Sequence, residues 1–441
     1  MFSSDKWFGS TPSFYNGVIS QSLRLSQGSN YKLDRQMVTP TSVTGTICTA
    51  SWWMKKSAHD SVQSFIQCRD NQSSGNYAAY WTYDTGFSSN NHHAFRNEVD
   101  SLHIGTDTSV VPYRDPSGWY HVVIRYDSTQ STASDRIRIY KNGVLQNSTF
   151  ATTTYPSLNH VDTYWNNAGE HLILFGNGED SGDSFDGYIA EFNWVDGQSL
   201  PPETFGESKN GVWIPKKITL STSDYGLNGS RYTFADSSDI GKDTSGVGND
   251  LDRVSNLSSH DVVPDSPENN FCTLNSLGER YGQSYTATFS EGNLKAVGGG
   301  NATHIWGSMA INQIASQGGV YFEVRLDSTD GNRSYGGLIG DNGINNKSSN
   351  SNGATYHYPI KALIDLMSNV RGHFGTDTDG TSIDLTSGNT GFSNGDIAGF
   401  AILSDGKFFC HRNGTYIKNA SGNTGNPSTG ANPVATIDLT E

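Results

Sequence analysis

The chain has 441 residues and carries 29 Lys and Arg against 44 Asp and Glu, a formal charge of −15. Only 17% of its residues are charged, below the usual share of about 25%, while glycine fills 49 positions. An acidic chain without basic clusters is repelled by phosphate, so nucleic acid is not expected as a partner. No apolar run of about 18 residues exists, so no membrane insertion by a helix is expected, and 9 Trp, 21 Tyr and 20 Phe can bury too much area for a disordered chain.

The first residues, 1–16, are aromatic and Gly/Ser-rich and read as an N-terminal anchoring arm. They lack the basic stretch and apolar core of a secretory signal. Strand signals dominate thereafter. In Gly118–Asp127 the residues Tyr120, Val122, Ile124 and Tyr126 share one face, and Arg136–Tyr140 alternates sharply. Lys141-Asn142-Gly143 then turns the chain, because Asn-Gly between strand-like runs is a strong hairpin signal. Pro201-Pro202-Glu203-Thr204-Phe205 can open one short helical turn. Residues 221–268 are polar and contain Pro264 and Pro267, which break any continuing element.

Beyond that segment, Val320, Phe322, Val324 and Leu326 alternate with Tyr321, Glu323, Arg325 and Asp327, which predicts a strand with one dry and one wet face. Ile360, Leu363, Ile364 and Met367 follow helical spacing, yet the same stretch fits two short strands, and both readings stand. Cys410-His411-Arg412-Asn413-Gly414 repeats the pattern of Tyr140-Lys141-Asn142-Gly143. The expectation is an all-β chain with little helix and two β-sandwich (jelly-roll) domains in tandem: 17–265, including the polar connecting segment, and 266–441. The four cysteines, Cys48, Cys68, Cys272 and Cys410, form no C-x-x-C pair and read as buried free thiols, with Cys48–Cys68 or Cys272–Cys410 disulfides as alternatives.

Gly118-Trp119-Tyr120-His121-Val122-Val123, Arg138–Gly143 and Phe185-Asp186-Gly187-Tyr188-Ile189-Ala190-Glu191-Phe192 resemble, in order, three strands of the concanavalin A-like, laminin-G-type jelly rolls. This resemblance covers most of residues 17–215. Gly319–Val324, Gly395–Ala401 and Phe408–Gly414 resemble strands of SPRY domains, which are also sandwiches. The order of the two, with Gln21–Leu25, Gly206-Glu207, Gly211–Pro215, Phe234–Ser238 and Ser266–Asn275, resembles tail and virion-surface proteins of bacteriophages, marine phages in particular. SPRY domains usually run further past the Asn-Gly hairpin. The natural chain is therefore expected to be longer, or a partner chain to complete the sheet near Ile437.

Catalytic patterns are incomplete. Glucanases of this fold place acids as E-x-D-x-x-E, and the nearest match, Glu98-Val99-Asp100-Ser101-Leu102-His103, has His103 where the third acid belongs. No G-x-S-x-G occurs, and His92-His93 point to opposite faces of a strand. The chain is therefore read as no enzyme, with no cofactor other than possible calcium. Calcium takes several loop oxygens. Asp180, Asp183 and Asp186, with Glu179, crowd one loop, and Asp377 and Asp379 another. The laminin-G resemblance implies that a rim calcium is compatible with such loops. Trp81, Tyr83 and Trp165 are candidates for stacking on sugars.

The resemblance then implies a virion structural protein at the tail or capsid surface. The leading reading is a tail fibre that contacts host cell-surface polysaccharide through sandwich loops, assembled with other virion proteins as a homo-oligomer, a trimer by preference. A capsid decoration or head-fibre protein is the alternative, and a polysaccharide-degrading tailspike is the third reading.

Overall fold

The structure is a computed structural model and describes residues 14–27, 31–41, 45–59, 62–70, 77–83, 93–97, 99–106, 113–176, 183–276, 287–298, 305–308, 318–328, 335–339, 360–366, 371–374, 381–385, 388–437 and 439. Every strand pairing it records between named strands is antiparallel. The fold is all-β, and Thr222–Tyr225 is its one α-helix among the described residues.

Two eight-stranded sheets form the first sandwich. One runs in the spatial order Val144–Leu145, Ile137–Lys141, Tyr120–Asp127, Ile47–Lys56, Gly187–Asp196, Ser22–Leu25 and Val262–Val263, with Ser230–Tyr232 also paired to Gly187–Asp196. The other runs Phe150–Thr154, Leu102–Thr106, His93–Asn97, Tyr77–Tyr83, Val62–Arg69, His171–Leu174, Lys32–Gln36 and Arg253–Ser255. Alternation sends one side of each strand into a shared core. Trp52 and Phe192 from the first sheet meet Phe65 and Tyr80 from the second, with the Trp52 ring 5.8 Å from Phe65 and 5.6 Å from Tyr80. The face read from the sequence, Tyr120, Val122, Ile124 and Tyr126, packs on this core.

Strand 187–196 breaks period two. Its inward residues are Ile189, Phe192 and Trp194, so one extra residue must be absorbed between the first two. The register accordingly jumps between Ala190↔Trp53 and Asn193↔Ser51, and Glu191 sits at φ +51° in this bulge. Its buried carboxylate is paired with Arg231.

The polar stretch 221–268 is built into the sandwich: strands 230–232, 253–255 and 262–263 extend both sheets. Ser221 and Asp224 form a capping box on the short helix. Lys55, buried in strand 47–56, points into the segment that follows. Its Nζ donates to Asp265 Oδ2 at 2.9 Å, Asn270 Oδ1 at 2.9 Å and the Phe271 carbonyl at 2.6 Å. Glu268 accepts from four successive backbone N–H groups, of residues 16–19, at 2.6–3.0 Å.

The second sandwich has Gly319–Arg325, Ile397–Leu403, Lys407–Arg412 and Thr415–Tyr416 in one sheet, with Ala435–Thr436 also paired to 407–412. The other sheet is Tyr335–Ile339, Ile360–Asp365, Arg371–Phe374 and Thr381–Asp384. Between them lie Ile364, Leu366, Phe392, Phe400, Ile402, Phe408 and Cys410. The helix-or-strands ambiguity at 360–367 thus resolves to strand for residues 360–365, where pairing to both neighbours overrides the helical spacing.

The recurrent Asn-Gly hairpins are one device used twice. Asn142 and Gly143 have φ +48° and +77°, and Asn413 and Gly414 have +50° and +82°, the doubly left-handed geometry that matches strand twist. Each asparagine also exchanges two hydrogen bonds with an earlier strand. Asn142 Oδ1 accepts from His121 N and its N–H donates to the His121 carbonyl; Asn413 does the same with Ile397. All four cysteines are free thiols. Cys48, Cys68 and Cys410 are buried as expected, but Cys272 is exposed, because it lies past Pro267 outside any strand.

Candidate functional site

Of the acidic calcium candidates, Asp180, Asp377 and Asp379 lie outside the described residues. Asp183 is half-buried. Asp186 is nearly buried and its Oδ2 accepts from Gln27 N at 3.0 Å, a loop-fastening contact. Among the described residues the acids and imidazoles gather elsewhere, at Asp100, His160 and Asp162. Asp100 sits in the turn between strands 93–97 and 102–106. The other two sit in the segment that joins strand 150–154 to strand 171–174.

Two of the three sugar-stacking candidates, Trp165 and Trp81, need correction. Trp165 is buried, its ring 4.9 Å from both Phe95 and Trp194, and its N–H donates to Cys48 Sγ at 2.8 Å. It belongs to the first core because the Asp162 carboxylate turns the chain inward there, accepting from the N–H groups of both Tyr164 and Trp165. Trp81 faces outward from the second sheet but is only 7% exposed. It is packed against Ala79 and Ala94, with Tyr77 edge-on at 5.3 Å. Neither ring offers an open face. Tyr83 ends the strand 77–83.

An open ring held in place by its neighbours lies in the second sandwich. Tyr321 is 50% exposed and stacks on His411, with centroids 5.9 Å apart and planes at 26°. Tyr416 meets the other side of that imidazole edge-on at 5.3 Å. Period two places Tyr321 and Glu323 on the outer face of strand 319–325. Pairing then sets Gly399 between Glu323 and His411. A Cβ at Gly399 would stand 2.0 Å from His411 Nε2, so glycine is what lets the rings come together.

A hydrogen-bond chain fixes this arrangement. Gly414 N–H donates to His411 Nδ1 at 3.1 Å, which leaves the imidazole proton on Nε2. Nε2–H donates to the Tyr321 hydroxyl at 2.6 Å, and that hydroxyl donates to Glu323 Oε1. Burial lowers the His411 pKa, against an opposing pull from Glu323, so the imidazole is neutral as the chain requires. Burial, then Glu323, raises the Tyr321 pKa and keeps its proton on. The result is a rigid aromatic ledge with an exposed carboxylate at its side. The period-two pattern alone puts Tyr321 and Glu323 on a wet face; the contribution of His411 and Gly399 depends on sheet pairing.

A serine–histidine pair in the first sandwich has a different character. Ser51 Oγ lies 2.9 Å from His121 Nε2, but Trp213 Nε1–H donates to His121 Nδ1 at 3.0 Å. The proton therefore sits on Nε2, which donates to Ser51 and cannot remove its hydrogen. His121 is fully buried, its ring stacked on Trp53 at 4.7 Å and its centroid 6.0 Å from that of Trp213, and burial lowers its pKa to about 3. It fastens the hairpin of strands 206–209 and 212–215 to the first sheet.

Residues 28–203 match the model of the concanavalin A-like lectin/glucanases superfamily, laminin-G type. The first sandwich is accordingly a concanavalin A-like, laminin-G-type jelly roll with a lectin-like fold. No curated protein matches the chain. Solved structures similar to it include domain 4 of AbnA, an extracellular arabinanase from Geobacillus stearothermophilus, in complex with arabinotriose. Identity there is 17%, over 38% of this chain and 68% of that one, with a TM-score of 0.26. A second is the CBM40 of a Ruminococcus gnavus sialidase bound to α2,3-sialyllactose (12% identity, 38% of this chain, 86% of that chain, TM-score 0.26). A third is tailspike protein 2 of the Escherichia coli O157:H7 bacteriophage CAB120 (13% identity, 40% of this chain, 23% of that chain, TM-score 0.28).

Proposed function

We propose that this chain is a non-catalytic, glycan-binding protein displayed on a virion surface, and that the Tyr321 ledge contacts the sugar. The observation that carries the reading is the exposed, immobilised Tyr321 ring beside the Glu323 carboxylate. A pyranose offers apolar C–H groups on one face and hydroxyls around its rim. A fixed aromatic ring serves the first at small entropic cost, and a carboxylate accepts from the second. A lectin-like sandwich in the same chain is in keeping with this role. The virion setting is supported by the sequence resemblance to phage tail and surface proteins, and by an acidic chain suited to solvent exposure. Within the virion a tail fibre is favoured over a capsid decoration protein, and as a homotrimer it would multiply a weak single-site affinity.

Binding of host polysaccharide to immobilised protein tests this. Tyr321→Ala should weaken binding roughly tenfold per site, corresponding to about 1.4 kcal/mol. Trp165→Phe, whose ring is in the core, should leave the affinity of the folded protein unchanged. Undiminished binding by Tyr321→Ala, or release of reducing ends by the wild-type protein, would overturn the proposal. Antibody labelling of virions that marks the capsid rather than the tail would replace the tail placement by the decoration one.

A further inference from the structure

Asp100, His160 and Asp162 come from two separate parts of the chain and are brought together at one rim of the first sandwich. One donor atom from each lies within 4.8 Å of the others. His160 Nε2 is 3.3 Å from Asp100 Oδ2 and makes no hydrogen bond.

Asp162 is the telling member. It is 1% exposed, and Oδ1 alone accepts from Asn97 Nδ2 at 2.6 Å, Tyr164 N at 3.0 Å and Trp165 N at 2.8 Å. Oδ2 is buried and has no partner. A carboxylate held by three donors on one oxygen, with the other oxygen buried and unsatisfied, lacks a positive group at Oδ2. Asp100 is oriented in the same manner. Asn97 Nδ2 and Thr163 N donate to its Oδ2 at 2.8 and 2.9 Å, and Thr163 Oγ1 donates to Oδ1 at 2.9 Å. Asn97 thus holds both acids. Such outer contacts are how ligands of a metal are aimed.

We propose that Asp100, His160 and Asp162 bind one divalent transition-metal ion, with zinc the best fit. Two carboxylates and one imidazole make a mixed oxygen–nitrogen set, which suits zinc or manganese and is poor for calcium, whose ligands are oxygens. Three protein donors leave a fourth coordination position open, while His160 Nε2 and Asp162 Oδ2 are themselves shielded from bulk solvent. The ion ties the turn at residues 99–101 to the segment carrying Trp165, and so braces the rim of the sandwich. This site is separate from the Tyr321 ledge and does not depend on it.

The test is titration of the full chain, stripped with chelator, with zinc chloride alone. Calorimetry should show one ion per chain. The melting temperature should rise by roughly 5–10 °C at a hundredfold excess over Kd. His160→Ala, at a partly exposed position, should fold normally and bind zinc at least roughly tenfold more weakly. Asp162→Asn should abolish binding while keeping the Oδ1 contacts; should that variant fail to fold, the His160→Ala result decides. No heat with either zinc or manganese would overturn the proposal. So would zinc binding that His160→Ala leaves unchanged, or one-to-one calcium binding in preference to zinc.

Discussion

Lys55 and Asp265 form a buried ion pair at 2.9 Å, with side-chain exposures of 1% and 6%. Burial is the largest influence on both. It lowers the lysine pKa and raises that of the aspartate, each against the pull of its partner. Each ion is therefore worse off than in water, and the pair holds because the two are together. Lys55→Met removes the cation at similar volume and leaves Asp265 charged, buried and holding only Trp119 Nε1 at 3.1 Å and Phe271 N at 3.4 Å. Such a break costs about 3–5 kcal/mol. At about 2–4 °C per kcal/mol, the melting temperature of the first sandwich should fall by roughly 6–20 °C. Lys55→Met with Asp265→Leu removes both charges. The other acceptors, Asn270 Oδ1 and the Phe271 carbonyl, belong to exposed residues that water can reach, so the double variant should recover most of the loss. Thermal and urea unfolding of the three proteins at pH 7 reads this directly. A single variant within about 1 kcal/mol of wild type would refute the reasoning, as would a double variant no better than the single.

Three further outcomes are expected. Burial lowers the pKa of His121 to about 3, so between pH 6.5 and 3 the unfolded chain takes up a proton that the folded one does not; stability should fall as pH drops through that window, by about 1.4 kcal/mol per unit. His59, also lowered to about 3, acts in the same direction, while Asp162, raised to about 6, acts oppositely between 3.8 and 6. Urea midpoints at pH 7, 6 and 5 should therefore decline less steeply in His121→Gln, and parallel slopes would be the contrary result. Gly399→Ala should displace His411, cost about 1–3 kcal/mol and loosen glycan binding as Tyr321→Ala does, read by melting and by affinity. Glu268→Gln should weaken four charge-assisted bonds to residues 16–19 and speed proteolysis before Ile19, with a local loss of about 1.5–3 kcal/mol; unchanged cleavage rates would show that other contacts hold the segment.

Much of the fold was legible in local pattern. Period two in 120–127 and 319–325 and the two Asn-Gly turns each announce their conformation within a few residues. The polar stretch 221–268 was less readable, because its short strands take their stability from neighbours such as 187–196 and 32–36. The helical spacing in 360–367 was overridden over residues 360–365, where the strand pairs on both edges.

The functional candidates divide along the same line. Residue type alone made Trp81 and Trp165 as plausible for sugar contact as Tyr321, since an indole looks the same in a core as on a surface. Packing removed the two tryptophans, and the pairing Glu323↔Gly399↔His411 made a ledge of Tyr321. Asp100 drew notice in a near-miss acidic motif, but its companions lie some sixty residues on, in Asn159-His160-Val161-Asp162, a run with no signature of its own. By itself, then, the sequence determined the strand content, the hairpins and the acidic, aromatic composition of this chain, all properties of neighbours along the backbone. Which aromatic rings face solvent, and which acids share a site with a histidine, was decided only by the tertiary structure, because those facts depend on contacts between residues far apart in the chain.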